Sequence, residues 1–334
     1  MPETALVTGA TGFIGSALCR ALLAAGHPVH ALHRRSSSLT ALEGLALTRF
    51  VGDILSPDTL PPAMQGVEWV FHAAGVVDYW RKPDQVIPVV LQGTRNVVTA
   101  ARQAGVRRLV LTSSMAAMGV PKRSELLTEE HTFNLPAHHF RYGYAKRQAE
   151  LEALRIAGGE IEVVVVNPSA VFGAGDLNQI SGSLLVQASR LSFAPYFEGG
   201  WNVVHVDDVV EGHLAAARQG GPGQRYILGG ENITHRETLA IASQIVGRAP
   251  RWVRLPGWII EPGAFLLNLL RRFITLPLDG DQLRLSRYYL YADISKAQRE
   301  LGLGGPRSFR QAAQEAYDWY VARGIIPPPQ GAST

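Results

Sequence analysis

Three glycines spaced G-x-x-G-x-x-G near the amino terminus, in Val7-Thr8-Gly9-Ala10-Thr11-Gly12-Phe13-Ile14-Gly15, constrain this chain more than any other feature. Ala5-Leu6-Val7 before them is a short β-favouring run. Phe13 to Ala25 after them repeats apolar residues at helical spacing, so the glycines fall on a strand-to-helix turn. Gly9 lets the chain turn tightly, Gly12 lets the backbone approach a pyrophosphate, and Gly15 lets the helix pack closely on the strand. The helix N-terminus then faces the anion. This context predicts a dinucleotide ligand at the edge of a parallel sheet.

The rest of the first half repeats that unit. Val29 to His33 reads as a second strand, Leu47 to Val51 as a third, and Trp69 to Gly75 as a buried strand ending in small residues. Gln85 to Ala104 reads as a long helix and Arg107 to Thr112 as the next strand. Tyr142 to Ala157 reads as another helix and Glu162 to Asn167 as a sixth strand. Strands alternating with helices predict an α/β, doubly wound parallel sheet. Pro168 and the glycines of Phe172-Gly173-Ala174-Gly175 mark departure into a smaller lobe. The expected division is a dinucleotide-binding domain over 1–168 with returning segments near 203–218, and a mainly substrate-binding lobe over 169–334.

The residues at the end of the second strand bear on the cofactor, because the adenosine ribose lies there. An acidic residue would bind a free 2′-hydroxyl; this chain has His33-Arg34-Arg35-Ser36-Ser37 instead. Arginine forks and hydroxyls suit a phosphate, so NADP is expected over NAD, with a merely solvated Arg34-Arg35 loop as the alternative. Ala73, Ala74 and Gly75 leave room for the cofactor's second half.

Composition narrows the remaining classes. The chain has 334 residues, 46% hydrophobic and 18% charged, which is globular. The net charge of +4 rests on arginine, since only Lys82, Lys122, Lys146 and Lys296 are lysines. No arginine run exceeds two, so a solvated surface is expected, with neither nucleic acid nor membrane as partner. Arg271-Arg272 with Arg284 and Arg287 is the densest basic stretch. Cys19 is the sole cysteine and no signal-like start is present, which points to a cytoplasmic protein.

The chemistry concentrates about Thr112-Ser113-Ser114 at a strand end and Tyr142-Gly143-Tyr144-Ala145-Lys146 on a helix. Residues i and i+4 share a helix face, so Tyr142 and Lys146 point together. A carbonyl receiving a hydride needs a proton donor, and a phenol serves better when a nearby cation lowers its pKa. Tyr142 is therefore the expected acid or base, Lys146 the cation and ribose ligand, and Ser114 the hydrogen-bond partner of the carbonyl. Tyr144 has Gln148 at i+4 and is the weaker phenol.

Taken together, these motifs resemble an extended short-chain dehydrogenase/reductase of the NAD-dependent epimerase/dehydratase group, across nearly the whole chain. The resemblance also rests on Asn167-Pro168-Ser169-Ala170-Val171-Phe172-Gly173, Val204-His205-Val206-Asp207-Asp208-Val209, Arg225 to Gly230, and Ser295-Lys296-Ala297 before Glu300-Leu301-Gly302. It is nearest the dihydroflavonol-reductase-like branch, which includes bacterial members labelled hopanoid-associated sugar epimerases. The resemblance implies a Rossmann fold and adds cofactor contacts at Thr11, Phe13, Ile14, Asp53, Ile54, Thr112, Pro168, Ser169 and Val171. Asp53 would meet the adenine amino group, although an Asx-type turn explains it equally well. A homodimer through the helices at 85–104 and 142–157 is also implied.

Two departures bear on substrate. Relatives acting on nucleotide-sugars resemble one another in having diphosphate-binding Asn and Arg where this chain has Ala170 and Trp201. A less charged carbonyl or alcohol substrate is therefore expected. Val77, Tyr79, Trp80, Met115, Phe193, Tyr196 and Phe197 are candidate lining residues, with plain core packing as the alternative, and His138 and His139 could sit over the site. No metal is expected: His205, Asp207 and Asp208 lack a second histidine, and an aspartate helix cap accounts for them. The expected activity is NADP(H)-dependent reduction of a ketone or aldehyde, or the reverse. Sugar epimerisation with transiently reduced cofactor is the alternative, and a non-catalytic cofactor-binding protein the minor one.

Overall fold

The computed structural model describes residues 2–76, 83–122, 125–177, 182–190, 193–248, 250–271 and 280–327. Seven strands form one wholly parallel sheet: β1 (Ala5–Thr8), β2 (Val29–His33), β3 (Thr48–Val51), β4 (Trp69–His72), β5 (Arg108–Thr112), β6 (Glu162–Pro168) and β10 (Arg225–Leu228). Their order is β10-β6-β5-β4-β1-β2-β3, which places the glycine-bearing β1 between β4 and β2.

Strands buried on both faces read as continuous apolar runs, and Val163 to Val166 is the clearest case. Alternate residues feed two cores. Ala5, Val7, Phe71, Val110, Val164 and Val166 pack with helices α1 (Phe13–Ala24) and α7 (Val206–Gln219). On the other face, Leu6, Val70, Leu109, Leu111, Val163 and Val165 pack with α2 (Pro61–Met64), α4 (Gly93–Gln103) and α5 (Arg141–Ala157). Each fully buried Val or Leu contributes about 1.5–3 kcal/mol of transfer free energy, so both faces of the sheet hold it together.

Two expectations shift. The expected single helix over 85–104 is instead α3 (Pro83–Ile87), a π turn over Pro88–Gln92, and then α4. Pro88 has no N–H to continue the regular ladder, and Thr94 Oγ1 donates to the Val90 carbonyl at 2.6 Å across that turn. The stretch over 204–217 meets the main sheet through a helix. Its start closes β9 (Gly200–His205), in a second sheet with β7 (Ala170–Phe172), β11 (Glu231–Thr234) and β13 (Tyr289–Leu290), and its remainder is α7, which packs back on the main sheet. Finally, α7 is capped by His205 Nδ1, which accepts from the Asp207 N–H at 3.0 Å. The aspartates do not cap it; Asp208 instead pairs with Arg307.

The remaining elements are α6 (Ser183–Arg190), β8 (Phe193–Tyr196), α8 (His235–Val246), β12 (Arg251–Arg254), α9 (Ile260–Leu270), α10 (Gly280–Leu285), α11 (Ser295–Leu301) and α12 (Phe309–Ala322). A third core of Phe172, Leu185, Val203, Ile233, Ala242, Phe309 and Tyr320 joins α6, α8, α12 and the second sheet. No helix among the described residues is long and apolar enough to cross a membrane.

Candidate active site

The carboxyl ends of β1, β4, β5 and β6 converge on one edge of the main sheet, where open α/β sheets hold their ligands. At β1, Gly9 takes φ +67°, and a Cβ there would lie 2.8 Å from Ala74. A Cβ on Gly15 would lie 2.1 Å from the Gly9 carbonyl. The turn therefore closes only with glycine. Helix α1 begins at Gly12 with no side-chain cap, so its first N–H groups face the sheet edge without a side-chain acceptor. Thr11, Phe13 and Ile14 are partly buried on this turn.

The other sequence-predicted cofactor residues surround the same edge. Ala73, Ala74 and Gly75 follow β4, and a Cβ on Gly75 would sit 3.7 Å from Lys146 Nζ. Asp53 Oδ1 accepts from the Leu55 N–H at 2.9 Å, which is the Asx turn, while Ile54 is buried against Gly93. Arg34 and Arg35 are exposed on the turn after β2. Pro168, Ser169 and Val171 run along the end of β6 into β7, and Ser169 Oγ is buried without a hydrogen-bond partner. Glycines that leave no room for a Cβ, an uncapped helix start and an unsatisfied buried hydroxyl fit a dinucleotide.

Ser114, Tyr142 and Lys146, the expected trio, come together because of a residue outside the motif. Ser114, two residues beyond β5, has extended backbone and opens a 3₁₀ turn over Met115–Met118, its Oγ accepting from the Ala116 N–H at 3.2 Å. Helix α5 docks its first turn onto that 3₁₀ turn, and a Cβ on Gly143 would lie 2.5 Å from the Ala116 carbonyl. Gly143, between the two tyrosines, thus sets how closely Tyr142 approaches Ser114. The Tyr142 hydroxyl is hydrogen-bonded to Ser114, and Lys146 Nζ lies 5.9 Å from the centroid of the Tyr142 ring. Tyr144 faces elsewhere and tilts against Phe133.

Electrostatics correct one expectation. Burial pushes the Tyr142 phenol up to about 12, with the Ser114 hydrogen bond working against the rise. The phenol is raised rather than lowered, and it is protonated at neutral pH. Burial likewise lowers Lys146 to about 8, with Glu150 opposing the shift. Lys146 Nζ donates to the Thr112 carbonyl at 2.8 Å.

Behind the trio lie residues that no sequence motif marks. Glu150 is fully buried one helical turn beyond Lys146. It accepts from Ser113 Oγ at 2.5 Å, Asn167 Nδ2 at 2.7 Å and Arg147 Nη1 at 3.0 Å, and pairs with Arg225 Nε at 3.2 Å. Asn167 also donates to the Ser114 carbonyl at 3.0 Å, tying this carboxylate to the site. Two histidines brace the strand ends. His72 Nε2–H donates to Thr94 Oγ1, its Nδ1 accepts from Thr8 Oγ1, and Thr8 Oγ1 in turn accepts from the Ala74 N–H. His213 Nδ1–H donates to the Val209 carbonyl and its Nε2 accepts from Thr112 Oγ1. Burial lowers His72 to about 3 and His213 to about 4, so both stay neutral. The usable sequence signal is the spacing of Tyr142, Lys146 and Glu150 at i, i+4 and i+8, on a face otherwise made of Ala145, Ala149 and Ala153.

A cavity of about 810 Å³ opens beside Ser114 and Tyr142. Met115, Phe133, Leu135, Ala170, Trp201 and Leu290 give it an apolar body, and His138, His139, Arg141, Asn268, Arg271 and Asp281 a polar portion. Met115, His138 and His139 thus line it, whereas Phe193, Tyr196 and Phe197 do not; Phe193 is exposed and Phe197 packs in the interior. Val77, Tyr79 and Trp80 lie outside the described residues. Ala170 and Trp201 both face the cavity, and the Trp201 indole N–H is turned to Thr238 Oγ1 at 3.1 Å. His205, Asp207 and Glu315 form an acidic cluster elsewhere, where the His205 nitrogens already bond the Asp207 N–H and the Glu315 carboxylate. Cys19 is buried and pushed up to about 12, which makes it inert.

Comparison with known proteins agrees with this architecture. The NAD dependent epimerase/dehydratase family matches residues 5–229. A putative dihydroflavonol 4-reductase of Synechocystis sp. is 35% identical over 98% of this chain and 97% of that one. Sterol demethylase protein B of Methylococcus capsulatus is 34% identical, over 97% of this chain and 100% of that one. The crystal structure of gox2253 superposes with a TM-score of 0.82 at 34% identity, covering 97% of this chain and 99% of that one. The chain therefore belongs to the NAD dependent epimerase/dehydratase family, as an extended short-chain dehydrogenase/reductase.

Proposed function

We propose that the protein is an NADP(H)-dependent carbonyl reductase that converts a ketone or aldehyde on a largely apolar body to the alcohol. The observation that carries the reading is a protonated phenol, Tyr142, hydrogen-bonded to Ser114 at the wall of a mainly apolar cavity. A bound nicotinamide supplies the hydride for the carbonyl carbon. The carbonyl oxygen takes its proton from Tyr142 Oη, while the Ser114 hydroxyl donates a hydrogen bond that holds it in place. Lys146, held by Thr112 and adjacent to Gly75, would favour the phenolate left after proton transfer and would hold the ribose. Gly9, Gly12 and Gly15 would hold the pyrophosphate, Ser169 would add a hydroxyl, and the exposed Arg34 and Arg35 would hold a 2′-phosphate.

The name of the Synechocystis relative specifies a reductase, which supports this direction of reaction. Ala170 and Trp201 at the cavity wall supply neither an amide nor a guanidinium for a nucleotide diphosphate. The test is absorbance-followed consumption of NADPH, against NADH, with a panel of aromatic and aliphatic ketones and aldehydes. Tyr142→Phe is expected to lose about 10²–10⁴-fold in kcat while still binding cofactor. Equal activity in Tyr142→Phe refutes the mechanism. Cofactor binding without consumption across the panel redirects the reading to epimerisation.

A further inference from the structure

The segment Arg225 to Gly230 supplies none of the chemistry described above, yet its first side chain reaches two parts of the site at once. Arg225 is mostly buried at the start of β10. Its Nε pairs with the Glu150 carboxylate at 3.2 Å, one turn of α5 beyond Lys146. Its Nη1 donates to the Glu129 carbonyl at 3.0 Å and to the His131 carbonyl at 3.1 Å. Glu129 Oε1 in turn accepts from the Ile227 N–H at 2.8 Å. One guanidinium therefore joins the helix that carries Tyr142 and Lys146 to the loop over 125–135.

That loop is a wall of the cavity, through Leu127, Phe133 and Leu135. Leu127 and Phe133 each lie two residues from a carbonyl that Arg225 holds, so a shift of those carbonyls moves the wall. The two ends of the loop have fastenings of their own. The Leu127 N–H donates to the Tyr291 carbonyl at 2.8 Å and the Asp293 N–H to the Leu127 carbonyl at 2.9 Å. Asn134 Oδ1 accepts from the Val120 N–H at 3.0 Å, and its Nδ2 donates to the Val120 carbonyl at 2.8 Å. Only the middle leans on β10. We propose that Arg225 is a positioning residue that sets the cavity wall over 125–135 relative to Tyr142, and with it the length of apolar body the site accepts. A planar guanidinium can hold a carboxylate and backbone carbonyls along different edges, with charge-assisted bonds that a neutral donor does not match. Because the loop ends keep their own bonds, a change at Arg225 displaces the wall without unfolding it. The selection of substrate rests on the reductase reading; the anchoring of the loop does not.

The experiment compares the full chain with two variants. Arg225→Lys keeps a charge beside Glu150 but replaces the planar fork with a single nitrogen. Arg147→Lys alters the other cation on Glu150; among the described residues Arg147 bonds Glu150 and not the loop. Hydrogen exchange followed by mass spectrometry reads the loop, and kcat and KM for NADPH-driven reduction of acetophenone and of para-hexylacetophenone read the cavity. In Arg225→Lys, peptides over 125–135 are expected to exchange at least about tenfold faster while those of β5 and α5 hold. The kcat/KM for the hexyl ketone relative to acetophenone is expected to fall at least about fivefold, through KM. Arg147→Lys shifts neither reading. The proposal is overturned if exchange over 125–135 is unchanged in Arg225→Lys, if it quickens equally in Arg147→Lys, or if both ketones lose kcat alike with their KM ratio unchanged. If the wild type consumes neither ketone, the reductase reading fails, and the exchange result by itself upholds or overturns the anchoring.

Discussion

Replacing Glu150 with alanine is the most demanding test of the site's construction. The carboxylate is fully buried and satisfies Ser113, Asn167, Arg147 and Arg225 at once. Arg225 is itself mostly buried, and burial already lowers its pKa, with Glu150 the main group opposing that shift. Removing the acid leaves a guanidinium in a low-dielectric site and two donors unmet, which costs about 3–5 kcal/mol. With an unfolding entropy of about 2.1 cal/mol/K per residue, a chain of this length changes by about 0.7 kcal/mol per degree, so the melting temperature falls by about 4–7 °C. Because Asn167 also holds the Ser114 carbonyl, kcat falls with it, whereas cofactor affinity at the distant glycine turn is retained. Scanning calorimetry with parallel kinetics reads both effects. A drop of less than about 1 °C with unchanged kcat would refute the claim that this carboxylate holds the strand ends together.

Two further predictions concern protons. Lys146 titrates at about 8 in the folded chain against 10.5 when free, so holding it charged and buried costs stability below about pH 8, and the cost vanishes once both states are neutral. Lys146→Met is therefore expected to abolish reduction yet raise the melting temperature at pH 7, with the gain shrinking as pH climbs from 8 towards 10.5; a gain that grows with pH contradicts the assignment. His72, His213 and His235 are lowered to about 3, 4 and 4 by burial, against 6.5 when free. The unfolded chain takes up these three protons before the folded one does, so stability falls as pH drops below about 6.5, by up to about 4 kcal/mol per pH unit. A melting temperature that stays flat from pH 7 to 5 would show that these imidazoles are not neutral and buried.

The parts of this molecule legible in the sequence are those where one local rule decides the outcome. Period and burial agree along Val163 to Val166, and only glycine fits at Gly9 and Gly15, so the sheet and its ligand edge can be read directly. The pair Tyr142 and Lys146 is legible through helical spacing alone. What escapes depends on partners distant in the chain. Asp208 is claimed by Arg307, Glu150 by Arg225 and Asn167, and His205 by Glu315, and no window around any of them contains the other. The second sheet is of the same kind, since β9 pairs with β7, β11 and β13 from three separate stretches.

The same distinction explains why the position of Tyr142 is legible and its acidity is not. Sequence places a cation one helical turn from the phenol, and the structure has it there, 5.9 Å from the ring centroid. Sequence does not show that the packing of α5 on the Ser114 turn, which Gly143 permits, also desolvates the phenol in part. Desolvation, the largest influence on the phenol, disfavours the phenolate, and the proton stays on Tyr142 at neutral pH. The close approach of α5 to the Ser114 turn therefore sets both where the hydroxyl sits and how firmly it holds its proton.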